Sequence, residues 1–180
     1  SCQYGEVYAI ASRSTEKAQN IAEQFGIPEC YGSYEELLAD KEVDAIYIPL
    51  PNHLHVQWAI KALEADKHVL VEKPVGLSSK EAERLLQETK KYPHLKVMEA
   101  FMYRHHPQWI KVKELVDQKA IGDIKTIQSS FSFFEDDPNS IVNSKEFGGG
   151  SLMDIGCYPI SLSRFLFNSE HKSISSVIEY

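Results

Sequence analysis

Short apolar runs alternate with amphipathic stretches over the first hundred residues. Glu6-Val7-Tyr8-Ala9-Ile10-Ala11 reads as a strand, and Ser14-Thr15 is placed to open a helix over residues 16–25. Gly26 stops that helix, because glycine enters the left-handed region without a Cβ clash. Ser33-x-x-Glu36 is a capping-box pattern ahead of a short helix over 35–39. Val43 to Ile48 is strand-like and is ended by Pro49 and Pro51. Asn52 is placed to cap a helix whose apolar positions are Val56, Ala59, Ile60 and Leu63. His68-Val69-Leu70-Val71 is the nearly continuous apolar run expected of a parallel strand buried on both faces. Ser78-Ser79 opens an amphipathic helix reaching about residue 91, and residues 95–100 form a further strand.

Strands alternating with helices predict right-handed βαβ crossovers and an α/β fold with a doubly wound parallel, Rossmann-like sheet. After Phe101 the pattern changes. A helix over 107–118 leads through Ile121-Gly122 to a long strand over 124–134, and a polar loop and the triplet Gly148-Gly149-Gly150 follow. A helix over 151–167 and a strand-like tail over 173–180 complete the chain. Two domains are expected: 1–100, the parallel sheet, and 101–180, the start of an α+β domain with a mainly antiparallel sheet. A terminal strand leaves an open sheet edge, so both domains are expected to be incomplete at the chain ends.

Composition narrows the class. The formal charge of -7 and the absence of a Lys/Arg block argue against nucleic acid or an anionic membrane surface as partner. No apolar run approaches the roughly 18 residues of a membrane span. Cys2, Cys30 and Cys157 are far apart and read as free thiols of a reducing compartment, the cytoplasm.

A dinucleotide-binding sheet carries G-x-G-x-x-G between its first strand and helix, and that fingerprint is absent. Either the protein binds no dinucleotide, or the chain starts after the motif and lacks the first strand. The second reading fits Val7 to Arg13 as the second strand of such a sheet. An acidic residue at its tip would bond a ribose 2′-hydroxyl; here stand Ser12, Arg13 and Ser14, whose guanidinium and hydroxyls suit a 2′-phosphate. NADP is therefore favoured over NAD, which stays possible, and an exposed arginine in a turn is the plain alternative.

Glu72-Lys73-Pro74 follows directly on a buried strand, where open α/β sheets bind ligands. A lysine there can hydrogen-bond a substrate hydroxyl and stabilise alkoxide character, and Pro74 holds Lys73 extended and is a candidate for a cis bond. The alternative is a solvated turn lysine. Asp154 and Tyr158, four apart after the glycine triplet, share one face of a helix. An aspartate among Leu152, Met153 and Ile155 is expensive unless paired. Tyrosine, with an ordinary pKa of about 10, needs a nearby cation to exchange protons near neutrality, and Lys73 is the candidate. A helix-terminal aspartate beside a core tyrosine is the alternative.

Four stretches resemble the glucose–fructose oxidoreductase / inositol dehydrogenase / rhizopine-catabolism (Gfo/Idh/MocA) family. They are Ile48-Pro49-Leu50-Pro51-Asn52-His53-Leu54-His55, Val71-Glu72-Lys73-Pro74, Glu99-Ala100-Phe101-Met102-Tyr103-Arg104-His105-His106-Pro107, and the glycine-triplet helix with Asp154. They occur in family order and at family spacing. Tyr158, where inositol dehydrogenases usually carry His, resembles the branch of dihydrodiol dehydrogenases and NADP-dependent xylose dehydrogenases. The resemblance implies Lys73 as catalytic lysine, Tyr158 as acid/base and Asp154 as the acid near the substrate. It implies cofactor contacts from Pro49, Asn52, His55, Glu72 and Lys73, with Arg104 and Trp109 at the domain junction. It implies hydride transfer between a nicotinamide cofactor and a hydroxyl-bearing carbon of a sugar or cyclic diol, in a homo-oligomer. The alternatives are a nucleotide- or sugar-binding regulator, or an inactive fragment. His53-x-His55 lacks a third metal ligand, and Glu135-Asp136-Asp137 lacks calcium-loop spacing.

Overall fold

A computed structural model describes residues 5–177. Contacts divide the chain into two compact units, Ser1–Glu99 and Ala100–Tyr180. The first contains β1 (Ala9–Ala11), α1 (Thr15–Phe25), β2 (Glu29–Tyr31), α2 (Tyr34–Ala39) and β3 (Ala45–Ile48). It continues with α3 (His55–Glu64), β4 (His68–Val71), α4 (Ser79–Thr89) and β5 (Val97–Glu99).

Local chemistry explains most boundaries. Ser14 accepts from Lys17 N–H and Ser33 from Glu36 N–H, so both helices start on side-chain caps. Gly26 ends α1 at φ 65°. The capping box is shifted by one residue: Glu36 Oε2 accepts from Gly32 N–H, at 3.1 Å, instead of from Ser33 N–H. Asn52 caps no α-helix; Asn52–Leu54 forms a 3₁₀ turn, and α3 begins one turn later at His55 without a side-chain cap. Leu54 N–H bonding to Pro51 O, at 2.9 Å, closes that turn before the helix can start.

Among the described residues every strand pairing is parallel, as expected, in two hydrogen-bonded groups, β1–β2 and β3–β4–β5. Facing strands β1 and β3 are not hydrogen-bonded, and a cavity of about 810 Å³ lined by Ala9, Ile10, Ala45 and Tyr47 lies between them. The core lies on one face of the three-stranded sheet. There Ile48, Val69 and Val71 pack against Val56, Ile60 and Leu63 of α3 and Leu85 of α4. Expectation and structure differ for β4, which is buried on one face only. Tyr47, Leu70 and Met98 form a cross-strand row on the other face, with Leu70 37% exposed, because α3 and α4 cover only one side.

The second unit, by itself, holds α5 (Pro107–Asp117) and α6 (Cys157–Phe167). The strand expected over 124–134 does not form, and residues 100–177 contain no strand. Alternating apolar positions in 124–134 find no pairing strand among the described residues, and an unpaired extended segment has no ladder to stabilise it. The strand-like tail is likewise not formed over 173–177, and its last three residues lie outside the described range, as does Cys2. Cys30 and Cys157 are both half-buried. Among the described residues no helix is long and apolar enough to cross a membrane.

Candidate functional site

Apart from Ser12 and Arg13, the expected site residues of the first unit lie in or next to the segments that follow β3 and β4. Glu72 N–H extends the ladder by donating to Ile48 O at 3.1 Å, which sets Lys73 just past the last paired residue. The Lys73–Pro74 peptide is cis. Lys73 is half-buried, Pro74 buried and Pro49 exposed. Four elements then hold the segment 72–77. Tyr47 Oη of β3 donates to Glu72 Oε1 at 2.8 Å, and Glu72 Oε2 accepts from Lys73 N–H at 3.2 Å. His55 of α3 contacts Pro74 O, at 2.7 Å. Glu99 Oε1 of β5 accepts from Val75 N–H and Glu81 Oε2 of α4 from Leu77 N–H, each at 2.7 Å. A Cβ on Gly76 would sit 3.1 Å from Val56 Cγ2 and Glu81 Cβ, so the segment lies close on both helices.

Sequence reasoning missed Tyr47, Glu81 and Glu99. The signal for Tyr47 was its place one residue before Ile48 on a strand leading to the site; Glu81 stands in the capping-box pattern Ser78-x-x-Glu81, and Glu99 opens the stretch Glu99 to Pro107. His55, expected to line a cofactor, has a fully buried ring held between two backbone carbonyls. Ser12 and Arg13 follow β1 on the separate two-stranded sheet. Arg13 is exposed, and Ser12 Oγ accepts from Ser14 N–H at 3.4 Å.

Burial, then the hydrogen bond and negative charge of Glu72, push the Tyr47 phenol up to about 12. Tyr31 is likewise pushed up to about 12, first by its hydrogen bond to Asp40. Both lie above the ordinary value of 10.0, so each contributes stability that is complete below pH 10 and lost as pH rises through 12. Absorbance titration is expected to show late phenols at Tyr31 and Tyr47, the second of which disappears in Tyr47→Phe. Two ordinary midpoints at those positions would contradict the bonding to Glu72 and Asp40.

In the second unit, each residue of the glycine triplet is required for its own reason. Gly148 and Gly150 have φ of 78° and 110°. A Cβ on Gly149 would lie 2.5, 2.6 and 2.8 Å from the carbonyl oxygens of Val142, Ile141 and Ser144. Gly149→Ala is therefore expected to destabilise this turn by roughly 1–3 kcal/mol, read as a lower denaturation midpoint.

The helix after the triplet is not α-helical from Ser151. Leu152–Gly156 is a π turn in which Cys157 N–H bonds to Leu152 O, and α6 starts at Cys157. Pro159 gives the reason: it has no N–H for Ile155 O, and its ring crowds that carbonyl, so the preceding turn widens. The Cys157 thiol donates to Met153 O at 3.4 Å. Asp154 lies in the π turn and Tyr158 in the first turn of α6, both half-buried.

The Tyr158 ring packs edge-on to Phe101 at 5.5 Å and tilted against Phe131 at 5.8 Å and Tyr103 at 6.2 Å. Tyr103 also shares a 2.8 Å hydrogen bond with Ser161 Oγ and packs edge-on to Trp109. The exposed Arg104 stacks its guanidinium over Phe165, 5.0 Å from the ring centroid. An aromatic shelf thus fixes the direction of the Tyr158 phenol.

Residues 1–101 match the Gfo/Idh/MocA oxidoreductase family, NAD-binding Rossmann fold, and residues 109–180 match the Gfo/Idh/MocA C-terminal domain. The chain is 42% identical to D-xylose 1-dehydrogenase (NADP(+)) 2 of Haloferax volcanii, covering 91% of this chain and 50% of that protein. It is 38% identical to trans-1,2-dihydrobenzene-1,2-diol dehydrogenase of Xenopus tropicalis, covering 92% and 49%. A 3-ketoreductase from Actinomadura kijaniata, solved with NADP and TDP-benzene, superposes with a TM-score of 0.82 at 41% identity, covering 89% and 49%. The chain spans about half the length of the curated relatives it matches. With its two halves matching the two domain models in order, this chain belongs to the Gfo/Idh/MocA family of oxidoreductases.

Proposed function

We propose that the protein carrying this sequence is an NADP-dependent dehydrogenase acting on a secondary alcohol or hemiacetal of a sugar or cyclic diol. The observation that carries the reading is the Lys73 segment, held at the end of β4 by side chains from β3, α3, α4 and β5. Such bracing serves a residue whose position matters to chemistry.

A bound nicotinamide would supply the hydride chemistry. Lys73 donates a hydrogen bond to the substrate oxygen and stabilises its negative charge. Tyr158 gives or takes the hydroxyl proton, and Asp154 is the acid near the substrate. Pro49, Asn52 and Glu72 border the cofactor, with Arg104 and Trp109 as further contacts. The donor set after β1 fits the adenosine end of the cofactor: Ser12, Arg13 and Ser14 supply a guanidinium and hydroxyls and no carboxylate. The relatives' names, a xylose dehydrogenase using NADP and a dihydrodiol dehydrogenase, support the same substrate class. We assign the protein to the cytoplasm, in keeping with three cysteines spaced far apart along the sequence, and expect it to form a homo-oligomer.

Titration with NADPH and NADH, followed by nicotinamide fluorescence, tests the cofactor. Tighter NADPH binding that Arg13→Glu reverses supports the reading; equal affinities before and after the substitution count against it.

A further inference from the structure

His55 is 0% exposed, and both its ring nitrogens face backbone carbonyls. Nδ1 lies 2.7 Å from Pro74 O and Nε2 lies 2.6 Å from Leu50 O. A carbonyl oxygen only accepts. Neutral imidazole has one N–H, so its bare nitrogen would point a lone pair at an oxygen lone pair at hydrogen-bonding distance. Only the ring carrying both protons satisfies both contacts. A buried cation needs compensation. The titratable groups bonded to the same segment are Glu72 after β4, Glu81 of α4, Glu99 of β5 and Tyr47 of β3.

Leu50 and Pro74 belong to the segments that leave the carboxyl ends of β3 and β4. One ring therefore ties together the two loops at which this sheet presents chemistry. We propose that His55, donating from both ring nitrogens, is a positioning residue that fixes the Lys73–Pro74 segment against the end of β3; this rests on the role given to Lys73 above.

Nitrogen-15 NMR of the histidine-labelled protein near neutral pH tests the protonation directly. Two protonated ring nitrogens at His55, slow to exchange with solvent, are expected; one bare nitrogen overturns the proposal. His55→Gln gives a second test, because one amide group cannot reach both carbonyls. Amide exchange at Val75 and Leu77 is expected to speed up by about tenfold or more, as the segment opens locally. In the active protein kcat is expected to fall by roughly tenfold to a hundredfold through misplacement of Lys73, while the cofactor KM changes little. Ala62→Gly, buried in the same helix, serves as a control that lowers stability without these effects. Unchanged exchange at Val75 and Leu77, or a loosened segment with unchanged kcat, overturns the positioning role. The NMR and exchange readouts do not depend on Lys73 being catalytic, so failure of the dehydrogenase reading is recognised separately.

Discussion

Lys73→Met is expected to lower kcat of the active protein by roughly 10²–10⁴-fold, the range for removing a positioned proton-handling or charge-stabilising group. Methionine keeps the length of the side chain and removes its charge and donors. The backbone bonds of the segment, from Glu72, Glu81, Glu99 and His55, do not involve the ammonium, so the fold should persist. Tyr158→Phe should cost a similar factor while keeping the ring contacts with Phe101, Tyr103 and Phe131. Because both groups are assigned to one proton transfer, the double variant should lose far less than the product of the two single losses. Steady-state kinetics on the four proteins makes the comparison. Near-normal turnover in Lys73→Met, with cofactor still bound, would refute the assignment.

The largest stability effect is expected at Leu63. Its side chain is 0% exposed, in the cluster formed by α3 with Ile48, Val69 and Val71. Leu63→Ala removes three buried carbons and leaves a cavity that its neighbours fill only in part. The expected cost is about 2–5 kcal/mol, measured by urea or thermal unfolding. Leu70, one residue before Val71 and on the opposite face of β4, is 37% exposed. Leu70→Ala should cost clearly less, closer to the roughly 0.5 kcal/mol of a surface change. Equal losses at the two positions would mean that the open face of the sheet is covered in solution.

Much of the first unit is legible in local pattern. Ser14, Ser33 and Ser78 each begin a helix where a hydroxyl followed by an amphipathic run predicts one. Cap chemistry involves neighbours within three residues, so sequence carries it whole. The failures share a cause. Asn52 has the right side chain for a cap, yet Pro51 O captures Leu54 N–H first. The pattern over 124–134 alternates as a strand should, but a strand exists only with a partner, and none is present among the described residues. The π turn before α6 has its signal in Pro159, four residues after Ile155, whereas the four-residue spacing of Asp154 and Tyr158 predicts a plain α-helix.

Residue identity and short-range order settle the parallel α/β alternation, the place of Lys73 beyond β4, and membership in the oxidoreductase family, because these follow from spacing along one chain. Long-range packing alone settles the rest. Glu99 and Val75 are 24 positions apart, and Tyr47 and Glu72 are 25 apart. Nothing in their local sequence marks them as partners; the parallel register of β3, β4 and β5 does so by aligning the strand ends. The same register, with α3 laid across it, buries His55 between two carbonyls and turns a residue of ordinary appearance into the tie between two loops.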